Sequence, residues 1–439
     1  MKLNFDKYED VIKNCHLTED SGKVTEVTGL LIKGYLPSAS VGSICSIETP
    51  HSTKPLLAEV VGFKDRQVLM MALHEMRGVS LGCKITLSRS IATVKVSDEL
   101  LGRVVDGMGL PIDDKQSIEN FKEFPLYADV VNPLHRQPIR EPLDVGVRAI
   151  NATLTAGRGQ RVAIMAGSGV GKSVLMGMMA KNTEADVNVI ALIGERGREV
   201  REFIEHELGE QGMKKTVVVC VTSDQSPLLR MRGAYVATAI AEYFAKNNKN
   251  VLLVMDSVTR FAMALREIGL SIGEPPTTRG YTPSVFSTLP KLLERAGNFE
   301  GAGSITGFYT TLVDGDDMND PIGDCVRSIV DGHIVLTRQL AQRGHYPAID
   351  ILQSASRVMK AVTTSDHMRM NLKMRELMST YKEAEDLINI GAYKSGANPK
   401  IDKAVKVIDQ INDFLKQRTE DPANMTQCLR TMQQLTVGA

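Results

Sequence analysis

Residues 166–173 read Ala-Gly-Ser-Gly-Val-Gly-Lys-Ser, between a run with strand character and one with helix character. Those residue types in that order suit phosphate. The small residues Gly167, Ser168, Gly169 and Gly171 let successive backbone N–H groups curl around phosphate oxygens, and the start of a helix adds partial positive charge. Lys172 would reach the β- and γ-phosphates, and the Ser173 hydroxyl would ligate Mg²⁺. Val170 and Val174 complete the phosphate-binding stretch. The usual pattern opens on Gly; Ala166 stands there instead, with a side chain small enough for the turn.

Two carboxylates come next. Asp256 follows the apolar run VLLVM, which places it at the C-terminal end of a buried strand, where ligands of α/β sheets collect. Beside a phosphate loop such an Asp holds the metal; by itself it would serve as a helix cap, a role Ser257 or Thr259 could share. Glu195, in the stretch IGERGRE, also sits at a strand tip and could orient or deprotonate the water that attacks a γ-phosphate. A surface ion pair with Arg196 or Arg198 is the competing reading.

The elements that must position these groups are visible as texture. RVAIMA (161–166), VNVIALIG (187–194), TVVVCV (216–221), NVLLVMD (250–256), SITGFYTTLV (304–313) and DGHIVLT (331–337) read as core strands of a mostly parallel sheet. Helix candidates at 173–181, 197–208 and 233–247 alternate with them, which argues for a doubly wound α/β domain. Between about 23 and 90, short β-branched runs punctuated by Gly and Pro read as a small all-β barrel. Beyond about 360 the strands stop. Met370, Met374, Leu377, Tyr381, Ala384 and Ile388 form one helical stripe, and Ile401, Val405, Ile408, Ile411 and Leu415 form another, closed by Pro422. The expected domains are therefore a barrel (1–92), a nucleotide-binding core (93–360) and a compact helical end (361–439).

Composition excludes more than it assigns. The 439 residues carry 52 Lys+Arg against 52 Asp+Glu, and 43% are hydrophobic, so rods, collagen and disordered chains are excluded. A net charge of zero gives no global attraction to nucleic acid or acidic membrane. Cys15, Cys45, Cys83, Cys220, Cys325 and Cys428 include no C-x-x-C pair and read as reduced, mostly buried thiols. Residues 1–20 lack an apolar signal core, and the longest apolar runs are too short to cross a bilayer, which implies a soluble, cytoplasmic protein.

The stretches AGRGQRVAIMAGSGVGKS, ALIGERGREVREF, VLLVMDSVTRFAMALREIG, GEPPTTRGYTPSVFSTLPKLLERAG and YPAIDILQSASRVM, in that order, resemble the flagellar and type III secretion export ATPases. These are relatives of the catalytic β subunit of rotary ATP synthases. The resemblance covers essentially the whole chain, and the run SVTRFAMALREIGLSIGEPPTTRGYTPSVF is most similar to the flagellar members. It implies a RecA-like P-loop core with an N-terminal β-barrel and a C-terminal helical domain. The implied activity is Mg²⁺-dependent ATP hydrolysis that powers protein export across the inner membrane, with hexameric rings that place active sites at subunit interfaces.

The resemblance also implies roles for single residues. Glu195 matches the catalytic carboxylate, Glu199 an acidic residue near the metal with Arg196 as helper, and Arg260 an arginine near the phosphates, for which a structural ion pair is the alternative. Arg357, in SASR, matches an arginine finger that reaches a nucleotide held mainly by the neighbouring subunit. Tyr346 and Tyr393 match two aromatic positions flanking adenine, ordinary packing being the alternative for each. Implied partners are a central coiled-coil stalk protein facing the loop 269–282, membrane proteins of the export gate at the inner face of the membrane, and chaperone–cargo complexes. A peripheral regulatory protein would contact residues 1–20.

Four other readings compete. An injectisome ATPase and a catalytic subunit of a rotary proton-translocating ATPase share the motifs. A non-hydrolysing nucleotide-binding subunit would lack the carboxylate that stands at Glu195. An RNA-translocating hexamer would need basic residues interleaved with aromatics on its barrel, and residues 23–90 offer only Tyr35 and Phe63 without such a stripe.

Overall fold

In a computed structural model of the chain, residues 20–50, 52–313 and 320–437 are described. The regulatory contact expected at residues 1–20 lies, apart from Asp20, outside them. The chain divides into two compact units, one of residues 1–92 with 270–274, the other of 93–269 with 275–439.

In the first unit six strands close a barrel: β1 (Ser21–Thr28), β2 (Leu31–Tyr35), β3 (Ile44–Ile47), β4 (Leu56–Lys64), β5 (Gln67–Ala72) and β6 (Lys84–Arg89), in the order β1-β2-β5-β4-β3-β6. Closure leaves no edge strand to be covered. Inward residues including Val24, Ile32, Ile47, Val60, Met70 and Ile85 form its core.

The second unit is built on a nine-stranded sheet. Its main path contains β7 (Val104–Val105), β8 (Arg161–Ala166), β9 (Val187–Glu195), β10 (Thr216–Thr222), β11 (Asn250–Asp256), β12 (Ser304–Leu312), β13 (Gly332–Leu336) and β14 (Ile349–Ser356), in the order β14-β13-β8-β12-β11-β9-β10-β7. The short strand Gly297–Asn298 pairs antiparallel with β12. Helices cover the sheet, so the central strands read as unbroken apolar runs: every residue of β9 except Glu195 is buried. Only β14 breaks the parallel pattern along that path, pairing antiparallel with β13. Its sequence, IDILQSAS, alternates buried and exposed positions, as an edge strand with one wet face does, and lacks the apolar run that marks its neighbours.

Helix starts follow capping chemistry. The helix expected over 233–247 runs from Pro227 to Lys246, because Ser226 accepts a hydrogen bond from the Leu229 N–H and Pro227 occupies the first turn. The stretch 197–208 is helical throughout but changes pitch: Gly197–Glu202 is α and Phe203–Leu208 is π. The helical end has three long helices, Ser365–Asn389, Pro399–Leu415 and Met425–Val437, the last beyond the two stripes read from the sequence.

These helices do not have a core of their own. Met374, Leu377, Ile411, Phe414 and Met432 belong to one buried cluster with Ile164, Leu175, Ile190 and Val254 of the sheet domain. Buried polar side chains cross the same boundary, with His367 Nε2 2.7 Å from the Ala152 carbonyl and the Asn371 amide donating to the Thr153 carbonyl. Because Met374 is fully buried in this shared cluster, Met374→Ala should cost about 2–5 kcal/mol. Denaturant unfolding followed at once by helix signal and by nucleotide-domain protection from proteolysis should show both shifting together; a shift of the helical signal alone would mean separate cores.

Candidate active site

The C-terminal ends of β8, β9 and β11 lie along one edge of the sheet. Register places Leu192 beside Asp256, Met255 beside Tyr309, and Met165 beside Thr311. Strand spacing of about 4.8 Å then keeps the tips of β8 and β11, with β12 between them, within roughly 10 Å of one another. This is how groups distant in sequence come to share a phosphate site.

After β8 the chain turns through Gly169 (φ 77°) and Gly171 (φ 91°) into the helix Lys172–Asn182. Gly171 occupies the capping position in a left-handed conformation and no side chain caps the helix, so its first N–H groups are free to face an anion. Ser168, Gly169, Ser173 and Val174 are exposed, while Gly167 and Val170 are buried beneath them. Ala166 ends the strand, takes no positive φ and accepts the Val313 N–H at 3.0 Å, which is why no Gly is needed there.

Lys172 Nζ stands 2.5 Å from Asp256 Oδ1 and 3.8 Å from Glu195 Oε1. Asp256 Oδ1 also accepts the Thr310 hydroxyl at 2.6 Å, and the residue is only 2% exposed. This deeply buried carboxylate thus has both a cation and a hydrogen-bond donor as partners. Glu195 is less well served. Burial, and then the charge of Asp256, push its carboxyl up to about 7; Lys172 opposes the shift, and the neighbouring Glu199 adds to it.

Around this trio the other candidates take distinct places. Glu199 is half exposed and pairs with the outward-pointing Arg196 at 3.4 Å. Arg260 packs its stem against Gly194, where an added Cβ would stand 3.0 Å from Arg260 Cβ, and its Nε is buried without a hydrogen-bond partner. Its Nη1 lies 3.8 Å from Met263 Sδ, and no ion pair of Arg260 with a carboxylate is seen among the described residues.

An open pocket of about 740 Å³ adjoins the loop, lined by Gly171, Val174, Leu175 and Met178 on one side and by Tyr346 and Pro347 on the other. Tyr346 ring atoms would lie 3.5 Å from a Cβ on Gly171, so the ring faces the loop closely. The segment Lys416–Asp421 also lines this pocket, and sequence reasoning did not single it out. It is held by Gln417, whose backbone N–H donates to the Tyr346 carbonyl at 2.9 Å while its side chain bonds Arg148, Gly146 and Asp421. A buried Gln between a helix end and Pro422 was the available signal.

Tyr393 is not brought to this pocket. Its hydroxyl bonds Asp402 at 2.9 Å and the Asn398 carbonyl at 3.0 Å, fastening the loop before the helix Pro399–Leu415. Arg357 is likewise distant from its own phosphate loop. Ser356 pairs with Gly332 at one end of β13, whereas Ala166 pairs with Leu336 at the other. Four residues of strand separate these ends by about 13 Å.

The donor set suits Mg²⁺: the Ser173 hydroxyl and the carboxylate of Asp256, with that of Glu199 further out, would be hard oxygen ligands. Among the described residues no three His, Cys, Asp or Glu side chains gather into a metal cage.

Comparison with known proteins agrees. The nucleotide-binding domain of the ATP synthase alpha/beta family matches residues 146–356, the beta-barrel domain of the same family matches 24–88, and the T3SS EscN ATPase C-terminal domain matches 363–434. Over 94% of its length the chain is 53% identical to a flagellum-specific ATP synthase of Bacillus subtilis, covering 95% of that protein. This chain belongs to the ATP synthase alpha/beta family. Within the family it is an ATPase whose relatives include a type 3 secretion system ATPase of Xanthomonas euvesicatoria, 47% identical over 95% of the chain and 94% of that protein. The assembled ATPase EscN of enteropathogenic E. coli matches with a TM-score of 0.90 at 47% identity, covering 94% of this chain and all of that one. Family membership accounts for the barrel, the sheet and the helical end together. Among the described residues no helix is long and apolar enough to cross a membrane.

Two outcomes follow from the geometry. Glu195 must be ionised to accept a proton, and its carboxyl sits at about 7. In the free enzyme kcat/KM should therefore fall about tenfold per pH unit below that value and level off above it; a profile flat down to pH 5 would contradict the assignment. Tyr346→Ala should raise KM for ATP by the roughly 1–3 kcal/mol that base–aromatic stacking contributes, about 5- to 150-fold, with kcat nearly unchanged.

Proposed function

We propose that the protein is the flagellar export ATPase of its organism, a cytoplasmic enzyme that assembles into a hexameric ring, hydrolyses ATP with Mg²⁺ at subunit interfaces and powers export of flagellar proteins across the inner membrane. The observation that carries the reading is the convergence of Lys172, Asp256 and Glu195 at one sheet edge beside an uncapped helix N-terminus. In this reading the backbone of 167–174 cradles the phosphates, Lys172 holds the β/γ oxygens, and Tyr346 stacks on the base. Ser173 and Asp256, with Glu199 further out, would hold Mg²⁺, which supplies neutralisation of the phosphate charge. Glu195 takes a proton from the attacking water, and Arg260 and Arg196 would assist with charge.

Arg357 completes the site from a neighbouring copy, since its own phosphate loop lies at the opposite end of β13. The domain division proposed is 1–92, 93–360 and 361–439, with the last two sharing a core. EscN has been described in complex with its central stalk EscO; we infer a coiled-coil stalk partner for this ring also, facing the loop 269–282, with export-gate membrane proteins, chaperone–cargo complexes and a peripheral regulator as further partners. Flagellar relatives range from 43% to 53% identity and overlap the secretion-system ATPases at 45% and 47%; the flagellar assignment leans on the three flagellar relatives at 48–53%.

Purified protein should hydrolyse ATP only with Mg²⁺, Lys172→Ala should abolish turnover, and specific activity should climb with protein concentration as interfaces form. A species shown by sedimentation to be strictly monomeric yet fully active would overturn the interface reading. Restoration of motility to a strain lacking its flagellar export ATPase tests the flagellar assignment.

A further inference from the structure

We propose that Asp331, locked by the guanidinium of Arg161, is the positioning residue that sets the reach of Arg357. The proposal rests on the reading that Arg357 serves the nucleotide of a neighbouring copy.

An arginine finger acts by placing charge at a fixed point, and a misplacement of about 1 Å can cost roughly 100-fold in rate. A long, flexible side chain therefore needs its base held rigidly. Arg357 follows the last residue of the edge strand β14, where little else would fix it. Its backbone N–H donates to the Asp331 carbonyl at 2.9 Å, and its Nη1 donates to the adjacent Val330 carbonyl at 3.4 Å. Residues 330 and 331 thus hold both the root and the head of the side chain. Gly332 makes the approach possible: an added Cβ there would stand 2.6 Å from the Ala355 carbonyl.

Asp331 is in turn fastened to the start of β8. Its N–H donates to the Arg161 carbonyl at 2.8 Å, and its Oδ2 accepts the Arg161 N–H at 3.1 Å. The carboxylate also receives Arg161 as a fork, Nε at 3.1 Å on Oδ2 and Nη2 at 3.2 Å on Oδ1. Paired charge-assisted bonds of this kind fix direction as well as distance. The remaining Arg161 nitrogen, Nη1, meets Glu294 at the end of the helix Pro283–Leu293, and Arg136 Nη2 lies 3.6 Å from the same carboxylate. Gln160 adds a further tie, its amide donating to the Asp331 carbonyl at 3.3 Å and to the Ser356 hydroxyl at 3.2 Å. No bond of this knot reaches Lys172, Glu195 or Asp256, which sit at the far end of the strands. Asp331 therefore serves the site that its own chain lends to another copy.

The test uses whole chains mixed before assembly. Asp331→Asn and Arg161→Gln should each lower kcat about 10- to 100-fold while leaving KM for ATP within about twofold. Mixed with Lys172→Ala chains, which keep an intact finger, Asp331→Asn should regain activity, because about one interface in four then pairs a sound phosphate loop with a sound finger. Mixed with Arg357→Ala chains it should regain none. The reverse pattern, rescue by Arg357→Ala but not by Lys172→Ala, would place the defect in its own phosphate loop and overturn the proposal. So would failure of both mixtures while the control pair Lys172→Ala with Arg357→Ala gains activity. A control pair that stays inactive would instead overturn the finger reading itself. Arg161→Gln must follow the same pattern, which keeps the test decisive if Asp331→Asn does not fold.

Discussion

Everything at the site depends on one ammonium shared by two carboxylates. Lys172 lies within ion-pair distance of both Asp256 and Glu195, and the two acids differ in how well they are compensated. Asp256, although buried, has the short contact and accepts the Thr310 hydroxyl. Glu195 has the longer contact; burial first, and then the like charge of Asp256, push its carboxyl up to about 7. One cation thus meets two carboxylates in two different environments, the arrangement that would let one serve as a ligand and the other as a proton acceptor.

The sheet exists, in effect, to hold that geometry. Parallel strands buried on both faces have no freedom to slip, because a shift of one residue would turn every side chain to the opposite face. Their tips then project into the same crevice in fixed register, and the turn after β8 needs Gly169 and Gly171 at positive φ to bring a helix N-terminus to bear on it. The helical end contributes from the other side: Gln417 ties the segment that walls the base pocket to Gly146, Arg148 and Tyr346. Because those helices share a core with the sheet domain, the pocket wall and the phosphate loop are parts of one packed body.

The opposite end of the sheet has a complementary design. There Arg161, Asp331 and Glu294 form a knot of alternating charge around the root of Arg357. A single chain thus carries its phosphate loop and Arg357 at opposite ends of the same strands, the placement on which the proposal of a site shared between copies rests.

Much of this was legible in the residues. The apolar runs that became β8 through β13 mark themselves because a strand buried on both faces tolerates nothing else, and Ala166–Ser173 marks itself because phosphate demands small residues, a lysine and a hydroxyl in that order. The antiparallel β14 was harder to read because it is half wet, and the helix start at Pro227 was signalled only by Ser226 and the proline after it. The two tyrosines show where sequence stops. Both stood in stretches that suggested an adenine contact, yet Tyr346 reaches the pocket and Tyr393 is spent on Asp402, since a chemical type does not say which way a loop will fold. The sequence by itself determined which groups could bind and cleave a phosphate, because those depend on residue type and local spacing. Only the tertiary structure decided which of them meet, that Glu195 keeps its proton to near neutrality, and that Arg357 faces away from its own nucleotide site, because distance, burial and direction arise from packing between segments far apart in the chain.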